Sequence, residues 1–221
     1  GEYLDLPLPL SRQWHIKLEA DEHLLPVEDA DGLLLLTGRP GLLTARVTDT
    51  GRPRWRRRLS FTPEWAARYL DTVVTAGRQG AACLRQDDGA IIWEIAAPAL
   101  FAGQRPETLA SFQIANDRFF FLAGEKWLFA LDAQTGRVNW HRSAPGAGLG
   151  LPSPSGRFNP AFFARGNTVL LQATLNRTVL LDAGNGRRLQ SLTYAAGCWW
   201  NKPLARDAYA FRLAPNARVL V

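Results

Sequence analysis

Apolar residues in this chain come in short runs rather than at helical spacing. Asp71-Thr72-Val73-Val74-Thr75-Ala76, Arg118-Phe119-Phe120-Phe121-Leu122-Ala123 and Thr168-Val169-Leu170-Leu171-Gln172-Ala173 are typical, and Gly, Asn, Asp and Pro separate them. Runs of this length bounded by turn formers read as buried strands. Helical periodicity is nearly absent. The one helix the pattern predicts is Pro63-Glu64-Trp65-Ala66-Ala67-Arg68-Tyr69, about two turns with Pro near the first position. No apolar stretch approaches the roughly 18 residues of a membrane-crossing helix. The pattern therefore predicts an all-β sandwich, barrel or propeller.

One unit recurs: a strand, a turn ending in Gly, and a second strand with an aromatic four residues past the Gly. It occurs as Thr50-Gly51 with Trp55, Asp88-Gly89 with Trp93, and Thr135-Gly136 with Trp140. A fourth copy, Asn185-Gly186, has Gln190 in the aromatic position, and Trp14 starts a similar strand with no turn before it. Positions 14, 55, 93, 140 and 190 are spaced 41, 38, 47 and 50 residues apart, a mean of 44. That is the length of one four-stranded propeller blade. Gly at the turn supplies the positive φ that tight hairpins require. The Trp is large enough to fill the space between adjacent blades.

The third copy reads Ala130-Leu131-Asp132-Ala133-Gln134-Thr135-Gly136-Arg137-Val138-Asn139-Trp140. It resembles the tryptophan-docking repeat of the pyrroloquinoline-quinone-type β-propellers: Ala-x-Asp, Gly four after the Asp, Trp four after the Gly. Elsewhere the match is partial. Val47 replaces the Asp in the first copy, Cys83 and Arg85 replace Ala and Asp in the second, and Leu180 and Gln190 replace Ala and Trp in the fourth. The resemblance implies four-stranded antiparallel blades, about five of them, in a single domain over residues 1–221. Residues 201–221 read as inner strands without an outer one, and the N-terminus as an outer strand without inner ones. The last blade is thus expected to be closed by the N-terminal strand, giving a monomer, since closure removes exposed sheet edges. The competing expectation is a piece of a seven- or eight-bladed ring.

Members of that family divide into quinoprotein dehydrogenases, scaffolds such as the propeller lipoprotein of outer-membrane barrel assembly, and sensor domains. The dehydrogenases hold their quinone and a calcium ion with an adjacent Cys-Cys pair, an axial Asp, and Glu and Asn ligands. Here Cys83 and Cys198 are far apart, and Glu94, Glu107, Asp117 and Glu125 form no such constellation. No cofactor, metal or catalytic residue is expected. The resemblance places the protein in the periplasm or outside the cell. The chain has no Met and opens on Gly1, so a processed product or part of a larger parent is expected.

Charge sharpens the picture. Of 26 cations only Lys17, Lys126 and Lys202 are lysine, and the net charge is +6. A basic balance admits an anionic partner. His15, His23 and His141 are far apart in the chain, with no metal-ligand spacing. The densest charge, Arg52-Pro53-Arg54-Trp55-Arg56-Arg57-Arg58, falls on an outer strand, where it reads as protection of a sheet edge or as a polyanion patch.

Every predicted turn between the second and third strands of a blade carries a cation: Arg39, Arg78, Lys126, Arg177 and Arg218. In a propeller these turns share one face with the connections between blades. The longest connections are 145–160 and the one containing Cys198, Trp199 and Trp200. A face with these five cations and Trp199 and Trp200 is expected to bind a protein partner or an anionic ligand; nucleic acid is not expected. The leading expectation is a non-catalytic binding or scaffold domain. The alternatives are a quinoprotein-type dehydrogenase domain and a carbohydrate- or polyanion-binding module.

Overall fold

A computed structural model describes residues 15, 17–18, 21–25, 27–28, 32–38, 41–100, 108–124, 126–143, 162–174, 177–193, 199–205 and 208–212, with backbone alone at 27–28, 172–174, 192, 199–205 and 208–212. The first blade contains β1 (His23–Leu25), β3 (Leu33–Thr37), β4 (Leu42–Val47) and β5 (Pro53–Arg58), with a short strand β2 (Val27–Glu28) between β1 and β3. The second contains β6 (Trp65–Tyr69), β7 (Thr72–Gly77), β8 (Gly80–Arg85) and β9 (Ile91–Ala96). The third contains β10 (Leu109–Ala115), β11 (Arg118–Ala123), β12 (Trp127–Asp132) and β13 (Val138–Ser143). The fourth contains β14 (Phe162–Arg165), β15 (Thr168–Thr174), β16 (Arg177–Asp182) and β17 (Arg188–Thr193). A final pair, β18 (Trp199–Ala205) and β19 (Ala208–Arg212), forms a two-stranded sheet. Each blade is an antiparallel meander, and β2 adds to the second in parallel, with Val27 opposite Ala66. The inner strand β10 lies against β6 on one side and β14 on the other. This is the all-β, bladed architecture that the repeat spacing predicts.

The blades stack face to face, and three apolar cores lie between them. Leu35, Leu43, Ala45 and Trp55 meet Ala66, Val73, Ala82 and Leu84 between the first and second blades. Val74, Cys83 and Trp93 meet Phe119, Phe121 and Leu131 between the second and third. Phe120, Leu128 and Trp140 meet Val169, Leu171 and Leu181 between the third and fourth. A strand with a neighbouring blade on each side must be apolar on both faces, which is why β7 and β11 read as continuous runs rather than alternating ones. The outer strands alternate instead, with one buried Trp among exposed residues.

Each Trp is seated on the next blade. The Nε1 of Trp55 donates to Gln86 O at 2.8 Å, that of Trp93 to Ala133 O at 3.0 Å, and that of Trp140 to Ala183 O at 2.9 Å. The indole rings lie flat against Gly89, Gly136 and Gly186. A Cβ there would come within 2.5, 2.7 and 2.7 Å of the ring, at φ of +68°, +69° and +68°. Two constraints therefore select Gly at this position: the turn's positive φ and the approach of the preceding blade's indole.

The cross-strand register accounts for the Ala of the repeat. Ala45 lies opposite Trp55, Cys83 opposite Trp93 and Ala130 opposite Trp140. In the fourth blade Gln190 replaces the Trp, and its partner grows to Leu180. Small pairs with large, and the volume is conserved when the large member is lost.

The Asp of the repeat is dispensable for a similar reason. All four turns close with the same two backbone bonds, from the Gly N–H to the carbonyl four residues earlier and from that residue's N–H across the turn. Asp132 and Asp182 strengthen the turn by accepting from N–H groups within it. Where Arg85 stands in that place, it pairs with Asp88 at 2.5 Å, and Asp88 accepts from Ala90 N.

The helix expected over 63–69 is instead strand β6. Its ladder with β7 runs from Trp65 opposite Ala76 to Tyr69 opposite Thr72, and Ala66 and Ala67 are buried between blades. Tertiary pairing overrides local helix propensity here. The N-terminal closing strand rests on residues mostly outside those described, Trp14 among them; His15, Lys17 and Leu18 are exposed and lie in no strand. The third strand expected for a fifth blade, at 217–221, also lies outside the described residues.

The docking contact predicts a contrast. Trp93→Ala is expected to cost about 3–5 kcal/mol, a fall in Tm of roughly 6–20 °C for a domain of this size. Gly136→Ala should lose several kcal/mol, because the new Cβ meets the Trp93 ring. Gly166→Ala, also at positive φ (+51°) but with open space around it, should lose only about 1 kcal/mol. Equal losses at Gly136 and Gly166 in thermal or urea unfolding would show that the indole approach is not the constraint.

Candidate functional site

The turns at the two ends of the blades are differently employed. On one side lie the turns joining first to second and third to fourth strands. There the first residue of each docking turn donates its N–H to the neighbouring turn of its own blade: Thr48 to Gly32, Gln86 to Asp71, Ala133 to Asp117 and Ala183 to Asn167. The carbonyls of Gln86, Ala133 and Ala183 accept the indole N–H described above. Arg54 adds an ion pair to Asp87, and Arg57 donates to Gly89 O at 2.9 Å and Asp88 O at 2.8 Å. Arg142 repeats this contact on Gly186 O at 3.0 Å. This side is committed to holding blades together.

Tyr69 makes a further link there. Its hydroxyl donates to Asp117 Oδ1 at 2.5 Å, from the second blade to a turn of the third. Burial, the hydrogen bond to Asp117 and that carboxylate's charge push the phenol up to about 12. Asp132, close by, is moved the other way. Burial raises its carboxyl, but the backbone N–H and hydroxyl of Thr135, the N–H of Gln134 and the Arg118 charge outweigh that and hold it below its ordinary value.

The opposite side carries Arg78 and Lys126 of the predicted cations. Here the turns between second and third strands bond to the connections that join blades: Leu59 N donates to Gly41 O, Ala97 N to Gln79 O, Leu109 N to Arg78 O and Gly124 N to Thr108 O. The shared face inferred from the repeat phase is thus a hydrogen-bonded surface over the first three blades. At Gly77 a Cβ would lie 2.0 Å from Thr62 O, so turn and connection are in close contact.

The structure brings some predicted site residues together and not others. Arg78 and Lys126 sit on adjacent turns, linked through the backbone of residues 108 and 109. Both are exposed, and Arg78 lies 3.7 Å from Glu64 in an exposed pair, a geometry worth little in water. Arg177 is the first residue of β16, and its Nε donates to Ser191 Oγ on the outer strand at 3.0 Å. Arg39 and Arg218 lie outside the described residues. Trp199 and Trp200, expected in a loop, open strand β18 instead, opposite Arg212 and Phe211. The connection 145–160 also lies outside the described residues.

One aromatic group was missed. Trp127 follows Lys126 directly and is half-buried. His141 stands edge-on to it at 5.5 Å and stacks on Phe129 at 5.3 Å. Trp127 and His141 have no periodic relation in the sequence, and only the β12–β13 register makes them neighbours. Among the described residues no group of three or more His, Cys, Asp or Glu could hold a metal ion. Cys83 is buried in an interblade core, and burial pushes its thiol up, which leaves it unreactive.

The family model for outer membrane protein assembly factor BamB matches residues 69–197. The chain belongs to this family. Its repeats are therefore of the quinone-type propeller class that the docking motif resembles. No curated protein sequence matches the chain. Among solved structures, BamB from Moraxella catarrhalis aligns at 16% identity and a TM-score of 0.45, covering 88% of this chain and 71% of that one. The computationally designed Ika8 protein aligns at 13% identity and 0.52, covering 82% and 55%. A europium-containing methanol dehydrogenase aligns at 14% identity and 0.52, covering 86% and 44%. The chain spans about half the length of these last two. The likenesses to the designed protein and the methanol dehydrogenase show a shared fold.

The Tyr69 link predicts an alkaline signature. A phenol raised in the folded state stabilises it fully below its ordinary value of 10.0, and the contribution is lost as pH rises through about 12. In urea unfolding, wild type is expected to be more stable than Tyr69→Phe at pH 8. That margin should shrink between pH 10 and 12. A margin constant with pH would disprove the coupling to Asp117.

Proposed function

We propose that this chain is a non-catalytic binding and scaffold domain that serves outer membrane protein assembly from the periplasmic side. It would hold a protein partner or anionic ligand on the face built from the second-to-third-strand turns and the blade connections. The observation that carries this reading is the backbone-linked pair of turns bearing Arg78 and Lys126. It presents two exposed cations, with Trp127 beside Lys126, on rigid supports. The opposite side has its turns occupied by docked tryptophans, which leaves this face free for recognition. Arg39, Arg177 and Arg218, with Trp199 and Trp200, are proposed to extend it. Family membership supports both the role and the location. A rigid ring suits a scaffold because loops held on paired strands lose little conformational freedom on binding.

Immobilised heparin serves as a polyanion probe. Arg78→Ala with Lys126→Ala is expected to elute at lower salt and to reduce the slope of log affinity against log salt by roughly 2, with thermal unfolding unchanged. An unchanged slope would remove these residues from the site. Turnover of a redox dye in the presence of pyrroloquinoline quinone and calcium would overturn the non-catalytic reading.

A further inference from the structure

The arginine run on β5 divides between two environments. Trp55 and Arg57 point toward the second blade, where they contact Gln86, Asp88 and Gly89. By strand alternation Arg56 and Arg58 point the other way. They pair in register with Thr44 and Leu42 of β4, and both are exposed, as is Arg52 at the start of the run. Three carboxylates of the second blade are already engaged. Asp87 holds Arg54, Asp88 holds Arg85, and Glu94 Oε1 accepts both Ser60 N and Ser60 Oγ at 2.6 Å. Among the described residues the side chains of Arg52, Arg56 and Arg58 have no partner.

The strand that carries them is the outer edge of its sheet, with β4 on one side and no described strand on the other. The outer strands of the second and third blades differ. β9 carries no cation and has Glu94, and the Arg142 side chain of β13 is spent on Gly186 O. A charged edge resists pairing with another copy of itself, because like charges would then face each other. The same edge favours a strand of opposite charge. An added strand would place its side chains about 4.5–5.5 Å from Arg56 and Arg58. That is within reach of bidentate arginine–carboxylate pairs.

We propose that the outer edge of the first blade is a second docking site, which takes an extended acidic segment of a partner protein as an added strand. Backbone hydrogen bonds to β5 supply the affinity, and carboxylates on alternate residues of the segment pair with Arg56 and Arg58, with Arg52 at one end. This site is separate from the turn face carrying Arg78 and Lys126.

The test is fluorescence anisotropy with a labelled ten-residue peptide alternating Glu with Thr and Val. A peptide of equal charge with Pro at every third position serves as the comparison, because it cannot form the ladder. Wild type is expected to bind the first peptide at least tenfold more tightly than the second. Arg56→Glu with Arg58→Glu should lose at least tenfold, and Arg78→Glu with Lys126→Glu should bind like wild type. Far-UV circular dichroism checks that the first pair of substitutions leaves the fold intact. Should it fail to fold, Arg56→Gln with Arg58→Gln replaces it. Equal binding of both peptides would overturn the strand-addition proposal in favour of an unstructured polyanion patch. Absence of binding at millimolar peptide would overturn it outright. Loss only in the Arg78 and Lys126 variant would assign the peptide to the turn face instead.

Discussion

The structure depends on one repeated contact: an indole from the outer strand of one blade laid flat on the docking-turn glycine of the next, with its N–H bonded to a carbonyl of that turn. The contact joins three requirements. The ring must be large enough to close the gap between splayed sheets. Its N–H must find an acceptor, since an unpaired buried donor costs about 1–3 kcal/mol. The turn beneath it must present a bare backbone. The residue opposite the Trp in the adjacent strand must also be small, which sets Ala45, Cys83 and Ala130. A change at any one of these positions is felt by the others.

Because docking uses the turns at one end of the blades, the described blades have two unlike sides. The docking side is dense with hydrogen bonds between blades, and several of its polar side chains are engaged there: Arg54 on Asp87, Arg57 on two carbonyls, Arg142 on Gly186, Tyr69 on Asp117. The other side holds its turns by backbone bonds to the blade connections, so Arg78 and Lys126 remain at the surface. This division, rather than any single residue, makes the turn face the better candidate for recognition. It also explains why the net positive charge alone says little: Arg54 and Arg57 are interblade struts, while Arg56 between them is exposed.

Much of the fold was legible in the sequence because the repeat is a set of spacings, and spacings survive the loss of individual residues. The distance from Gly to Trp identified the docking turns, and the second-to-third-strand turns of the second and third blades fell at Arg78 and Lys126 as expected. The exception at 63–69 has a clear origin. Two adjacent alanines flanked by Glu and Arg favour a helix locally, but an inner strand buried between blades also needs small residues. The sequence aligned Val47, Arg85 and Asp132 at one position without showing why the Asp is dispensable, since the backbone bonds that make it so have no sequence signature.

By itself the amino-acid sequence determined the strand content, the blade repeat and the positions of the docking tryptophans, because these follow from the periodicity and size of side chains along one strand or turn. Only the tertiary structure decided which arginines are struts and which are exposed, that Trp127 and His141 meet, and that Trp199 and Trp200 open a strand. Those outcomes depend on register between strands and on contacts made 30 to 50 residues away, where no local pattern reaches.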